Sequence, residues 1–424
     1  MATGNTKYGD GALENNTTNT SPAGANNNSA FGIGALQNST NYWNTAVGAY
    51  SGNSTTTGIS NSSLGVNALL KNTTGSYNTA LGTASLCFNE TGNNNTSVGS
   101  NALENNTANQ NTAVGAGALN INTIGFDNVA VGTGALNLNT TGDGNVAVGV
   151  GALLNNTTAQ YNTAIGSTTL RVNITGGSNT AVGAGSLEQN TTGSYNIAMG
   201  VHALNKNSTA NYNTALGYYA LEQNTTTNKN TAVGVYALYN TTNGSNIALG
   251  ANAGRNITTG INNTIIGTDA VNDGSNLYTG SSNICIGYNT KPSTVSSSNQ
   301  IIIGSSAETM YIQGGFNMRV GSDITSSPTT LATPLCQFYV VTTGAVTIQL
   351  PLPEPLYKGA QINFTRHGLV NTYTFQTSDT VSGTPYFWNL NSTAGINTLT
   401  TGSISNIMLW CDGTYWNSQF YSVS

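Results

Sequence analysis

The chain has 424 residues, of which only 6% are charged, and a net charge of −5; an average soluble domain carries about 25% charged residues. No basic surface is available to displace phosphate counterions, which argues against nucleic acid as a partner. No apolar run approaches the roughly 20 residues of a spanning helix, so membrane insertion is not expected, and Met1-Ala-Thr-Gly-Asn-Thr lacks the basic and apolar regions of a secretory signal.

The chain is repetitive from its first residues. Lys7 to Leu13 already follows the phrase Asn-Thr-Ala-Val-Gly-x-x-Ala-Leu that returns, for instance, as Asn111 to Leu119. The 23 residues from Gly9 to Gly32 hold one unit and a six-residue insertion. No capping segment is read before this unit, so its edge is expected to stack on another protein or on the far end of a second copy. From Gly48 through Gly65, Gly82 and Gly99 the same glycine returns every 17 residues, with an occasional 16, and the period persists to Gly321. A fixed period this short predicts a parallel β-solenoid or β-roll, in which each rung is too small to hold a core and is stabilised by its neighbours. About 18 rungs at roughly 4.8 Å each give a rod near 90 Å long.

Within a rung, the residue before the glycine is almost always aliphatic, as at Val47, Leu64, Val114, Ile165 and Met199. This residue is expected to point into the core. The residue before it is alanine in most rungs: Ala113, Ala130, Ala147, Ala164 and Ala181. Neighbours on a strand face opposite sides, so a segment apolar on both sides is expected to be buried on both. These alanines are therefore expected to pack against a second copy, in a homo-oligomer read as a trimer. The glycine suits a sharp corner. A second apolar pair, such as Ala118-Leu119 or Ala135-Leu136, follows it and predicts a second short strand in each rung. An Asn-Thr-Thr-Gly bend, as at Asn139 to Gly142, closes the unit, and its asparagines are expected to stack into a hydrogen-bonded ladder.

The period ends after Gly321. The expected organisation is a solenoid over residues 1–325, a linker over 326–334 containing Ser326-Ser-Pro-Thr-Thr, and a C-terminal domain over 335–424. In that domain apolar and polar residues alternate in short runs, including Ala345 to Leu350, Gln361 to Phe364 and Ile407 to Trp410, with turns at Thr343-Gly344 and Asp412-Gly413. An antiparallel β-sandwich or small barrel is predicted. Three of the four tryptophans lie there. Trp388 and Trp416, with Tyr386, Tyr415 and Tyr421, are the candidate recognition residues, because aromatic rings with a polar edge favour binding of sugars and proteins. Trp410 continues an apolar strand and reads as core.

No catalytic set, cofactor or metal site is expected. Glu14, Glu104, Glu188 and Glu222 stand in phase five residues after their glycines. Only Glu188 and Glu222, two rungs apart, approach the separation of a glycosidase pair, and solvated edge charge is the preferred reading. His202 and His367 have no nucleophile beside them. Asp127, Asp143, Asp269 and Asp273 do not recur in phase as calcium-binding roll repeats require. Cys285 replaces the repeat alanine and reads as a small buried hydrophobe, Cys87 stands apart, and Cys336 and Cys411 could pair. Asn-x-Thr sequons such as those at Asn16 and Asn224 serve either as glycan acceptors or as ladder and turn residues.

The Asn-Thr-Ala-Val-Gly-x-x-Ala-Leu units resemble the head repeats of trimeric autotransporter adhesins, and are similar to repeats of phage and large-virus fibre proteins. The likeness covers about residues 5 to 325. It implies a parallel β-roll fibre that is trimeric and displayed on a virion or outside a cell, with glycan or receptor binding at a tip. The 17-residue unit is longer than the adhesin repeat, and no coiled-coil stalk or membrane-anchoring β segment is read, which favours a virion or phage fibre. The alternatives are a filament-forming surface protein stacked end to end and an ice-binding solenoid; Val129, Val146, Ile197 and Ile247 interrupt the threonine column that the last would need.

Overall fold

The computed structural model describes residues 4–15, 27–274 and 276–305, and beyond them the backbone of nine short strands between 329 and 421. Among the described residues every regular element is a strand. Eighteen strands of three residues, from Thr6–Tyr8 to Ile301–Ile303, form one parallel sheet in which each is bonded to the strand of the next rung. The register is that of the repeat. Thr163, Ala164 and Ile165 lie opposite Thr180, Ala181 and Val182, so like residues stack on like. The first unit is thus an all-β parallel solenoid, as the glycine period predicts.

The corner glycine is required by close approach as well as by its backbone angle. Gly132 has φ +132°, and a Cβ there would lie 2.6 Å from the carbonyl oxygen of Gly149 one rung on. No side chain fits between two corners stacked in this way. The predicted second strand per rung is absent from the described rungs. Leu119 and Leu136, in the predicted second strand, each have φ 50°, a left-handed turn instead of extended chain. Stacking continues across the turn, since the Leu119 N–H donates to the Ala135 carbonyl at 2.9 Å. Left-handed backbone costs a leucine about 1 kcal/mol. Burying its side chain returns roughly 2 kcal/mol, and Leu136 is fully buried.

The facing of the strand differs from the sequence-based expectation. Ala113, Ala130, Ala147, Ala164 and Ala181 are each 0% exposed in the single chain. They are enclosed by their own coil, where they join Leu119, Leu136 and Leu153 in one core, and have no surface left to offer a second copy. The aliphatic residues expected inside point outward instead: Leu64 is 52% exposed, Ile165 41% and Val114 37%. The coil is narrow at this level. Across most rungs its strand side admits only alanine or serine, so the bulkier residue takes the outer face.

Asparagine fills the rest of the interior. From Asn28 to Asn283 the residue before each strand is a buried asparagine whose Oδ1 accepts the backbone N–H of its counterpart one rung later. Asn162 N donates to Asn145 Oδ1 at 3.0 Å and Asn179 N to Asn162 Oδ1 at 3.0 Å. The column runs from Asn5, which accepts from the Asn28 N–H, to Asn283, which accepts from the Gln300 N–H. Each Nδ2 is also used, that of Asn145 reaching the Ala159 carbonyl at 2.9 Å. A second column, at the bend, links amide to amide: Asn139 Nδ2 donates to Asn122 Oδ1 and Asn156 Nδ2 to Asn139 Oδ1, both at 2.8 Å. The expected ladder is present, and it lies inside the coil. After Asn224 the second column gives way to Thr241, Ile257 and Tyr278, all buried.

The chain divides into two units, Met1–Met310 and Tyr311–Ser424. The second contains a four-stranded and a five-stranded sheet. Val346–Leu350 runs parallel to Tyr373–Thr377, and Asn406–Cys411 antiparallel to Trp416–Tyr421. The strand directions are therefore mixed, and the side chains that would pack an antiparallel sandwich over 335–424 lie outside the described residues. So do the expected boundary at 325, the insertion near the first rung and, apart from the strand backbone at Thr329–Thr330, the linker.

Candidate interaction surfaces

Three columns of side chains run along the outside of the solenoid. The first is the outer face of the strands. On every rung it presents Thr, Ser, Val or Ile at the first position and, at the third, an aliphatic residue in nearly every case, as in Thr112–Val114, Val146–Val148 and Ile247–Leu249. No charged side chain interrupts either position from Ser29–Phe31 to Ile301–Ile303. Eighteen strands of about 10 Å, stacked at roughly 4.8 Å, make a face of about 900 Å². Its aliphatic half amounts to roughly 400 Å², and contiguous apolar patches of a few hundred Å² on single chains often mark interaction sites.

The second column, along one edge, combines carboxylates with amides and aromatic rings. Glu104 accepts from Asn101 Nδ2 at 2.8 Å and Asn120 Nδ2 at 2.9 Å. Glu188 pairs with Arg171 at 3.4 Å, and the buried Glu222 with Lys206 at 3.8 Å. The two carboxylates compared with a glycosidase pair thus each have their own cation, and Glu222 differs from the solvated edge charge expected of it in being buried beside Lys206. Further along, Tyr219 and Tyr236 stack at 5.6 Å and the Arg255 guanidinium lies 4.6 Å from the Tyr236 ring centre. His202 caps this stack, 5.1 Å from Tyr219 and with Nδ1 3.1 Å from Asn205 Nδ2. His367 lies outside the described residues.

The third column is the turn residue just before each buried asparagine. It has positive φ in rung after rung, with Asn94 at 57°, Asp127 at 56° and Gly144 at 63°. Trp43, Tyr77, Tyr161, Tyr195 and Tyr212 share this position with φ between 58° and 62°. They are among the most exposed large side chains of the solenoid, Tyr161 reaching 65%. Sequence reading gave Trp43 no role and passed over the tyrosines. The signal was present one residue ahead of the Asn-Thr-Ala phrase, a position outside the repeat as it was framed.

Among the described residues no group of three or more His, Cys, Asp or Glu side chains is placed to hold a metal ion, and no helix is long and apolar enough to cross a membrane. Cys285 is buried as expected, and burial pushes its thiol up to about 11. Cys87 is also buried and free, its thiol raised by burial and by the Glu104 carboxylate. Asn224 is no glycan acceptor in the folded chain, because it is 0% exposed and its Nδ2 is bonded to Asn207 Oδ1 at 3.2 Å. The Asn16 sequon, the Cys336 and Cys411 side chains, and those of Trp388, Trp416, Tyr386, Tyr415 and Tyr421 lie outside the described residues.

Comparison of the chain with protein-family models, with curated proteins and with solved structures finds no match.

Proposed function

We propose that the protein is a structural and adhesive fibre of a virion or extracellular surface, assembled from several copies packed side by side through the outer strand face. The observation that carries this reading is the aliphatic column. The strand face that carries it is continuous along the described solenoid, free of charge, and, with its threonines and serines included, of about the 800 Å² that each partner buries in a standard interface. An identical copy placed alongside offers the same repeat spacing, which few other partners of this length share. The interior supports the reading too. Amide columns that run from rung to rung give a slender rod lengthwise stability without a thick core, as a shaft requires.

Light-scattering mass and negative-stain images of the full chain test the proposal. Wild type is expected as a rod whose mass is a multiple of the single chain. Val131→Lys, Val148→Lys and Ile165→Lys together place three charges on the outer face, and are expected to reduce the particle to one chain with an unchanged β spectrum. A wild-type particle of single-chain mass, or a triple variant of native mass, would overturn the assembly.

A further inference from the structure

Asn243 and Gly244 form the one Asn-Gly step of the chain, and Asn243 is exposed on the bend that precedes Ile247–Leu249. In several rungs the residue six before the corner glycine donates its backbone N–H to a side chain of the next rung. Ser194 N donates to Asn211 Oδ1 and Asn211 N to Asn228 Oδ1, both at 2.7 Å. Gly244 holds this place one rung before Ile261, whose side chain has no acceptor to offer. Its N–H turns back instead to Oδ1 of Asn243 at 2.9 Å, which brings the backbone nitrogen close to the side-chain amide carbon. No side chain shields that nitrogen, and the fold leaves no room for one, because a Cβ on Gly244 would stand 2.7 Å from the Asn228 carbonyl oxygen.

We propose that Asn243 is a modification site, where the chain deamidates through a cyclic imide without help from an enzyme and thereby loosens one rung. Hydroxide takes the Gly244 amide proton and the nitrogen attacks Asn243 Cγ. The N–Cγ bond forms as the Cγ–Nδ2 bond breaks, and Nδ2 leaves as ammonia with a proton from water. Water then opens the imide at either carbonyl, giving aspartate or isoaspartate. The asparagines of the interior columns are protected from this attack. Asn139 and Asn145 have both side-chain ends bonded, and the nitrogens that would attack them, those of Thr140 and Val146, donate to Thr157 and Asn162 carbonyls. The rung that carries Asn243 is weakly held. Its Nδ2 donates to the Thr259 carbonyl at 3.1 Å, and conversion sets a charged acceptor against that oxygen. Nothing inside offsets the loss: the second amide column has ended at Asn224, and the buried Thr241 Oγ1 has no hydrogen-bond partner.

The test ages the full chain at mildly alkaline pH and follows its asparagines by peptide mass spectrometry, with isoaspartate read by its methyltransferase. Asn243 should convert at least tenfold faster than Asn139 or Asn145, at a rate proportional to hydroxide concentration. Ile261→Asn gives the Gly244 N–H the acceptor that Asn228 gives to Asn211, and should slow conversion several-fold with an unchanged β spectrum. Asn243→Gln, which would have to close a larger ring, should not convert. Hydrogen exchange over residues 241–260 should rise as wild type ages and stay constant in Asn243→Gln. Conversion of Asn243 no faster than that of Asn145, equal rates in wild type and Ile261→Asn, or exchange that conversion leaves unchanged would overturn the assignment.

Discussion

Ala147 and Val148 are adjacent on one strand, yet they belong to two different chemistries. Ala147 faces a closed interior in which each position is limited by volume, and Val148 an outer face limited only by what packs on it. Inside, where alanine is replaced in the middle of the solenoid, the substitute is serine, as at Ser63 and Ser97. Outside, Val, Leu, Ile and Met exchange freely, as Val131, Leu216, Ile165 and Met199 show. Hydrophobicity alone assigns these faces the wrong way round. In so narrow a coil, size and backbone hydrogen bonding decide what is inside, and the more apolar residue is left on the surface.

The largest effect should follow from breaking the interior amide column. Asn145 Oδ1 accepts the Asn162 N–H at 3.0 Å, and its Nδ2 satisfies the Ala159 carbonyl at 2.9 Å. Asn145→Ala leaves the buried Asn162 N–H without its partner, at about 1–3 kcal/mol, and takes from the Ala159 carbonyl one of its two donors, the other being Asn156 Nδ2 at 3.0 Å, at about 1 kcal/mol more, so a loss of about 3 kcal/mol is expected in urea unfolding. Because solenoid rungs are coupled to their neighbours, local opening should centre on the rungs of Asn128 and Asn162, and hydrogen exchange would locate it. A midpoint within experimental error of wild type would mean that the column contributes nothing net.

The contrast between faces can be measured directly by one change of volume made twice. Ala147→Leu forces three heavy atoms into a closed space and should cost roughly 1–3 kcal/mol. Val148→Leu adds a methylene to a face that already carries leucine at Leu216, and should stay within about 0.5 kcal/mol in the single chain. Equal melting temperatures for the two variants would contradict the assignment of inside and outside.

Much of the solenoid was legible in the sequence because it depends on periodicity. The parallel stacking, the corner at Gly132 and the asparagine ladder all follow from the 17-residue period and the chemistry of glycine and amides. The direction in which the strand faces was not legible, since Ala113 and Val114 are both apolar and alternation gives two solutions. The turn at Leu119 was hidden too. A leucine at positive φ is an exception to local preference, made possible by the core around it. The exposed tyrosines went unread for a related reason: a column that varies among Tyr, Trp, Ser, Asn, Gly, Gln110, Asp127 and Lys229 looks like tolerance, and the stacking of Tyr195 on Tyr212 shows only when consecutive rungs are placed in space.

The smallest expected effect tests how the narrow interior accommodates polarity. Where serine replaces the strand alanine, a second serine faces it: Ser51 Oγ bonds Ser63 Oγ at 2.7 Å, and Ser85 Oγ bonds Ser97 Oγ at 2.7 Å. In both pairs the partners are 12 residues apart, and Ala135 and Ala147 stand at the same separation in equivalent positions, both fully buried. At the first site the backbone accommodates a lone serine, since Ser186 Oγ, facing Ala198 at the same separation, donates to the Ala198 carbonyl at 3.0 Å; a lone serine at the strand site puts a hydroxyl opposite a methyl group, and two serines can share a hydrogen bond. Ala147→Ser should therefore destabilise the chain and Ala135→Ser much less, and the double variant should be less unstable than the sum by about 1 kcal/mol, the net contribution of one hydrogen bond. A double-mutant cycle from urea titrations of the three variants and wild type reads this coupling. Strict additivity would show that Ser51 and Ser63 satisfy their hydroxyls through the backbone alone, and that their pairing across the coil is incidental.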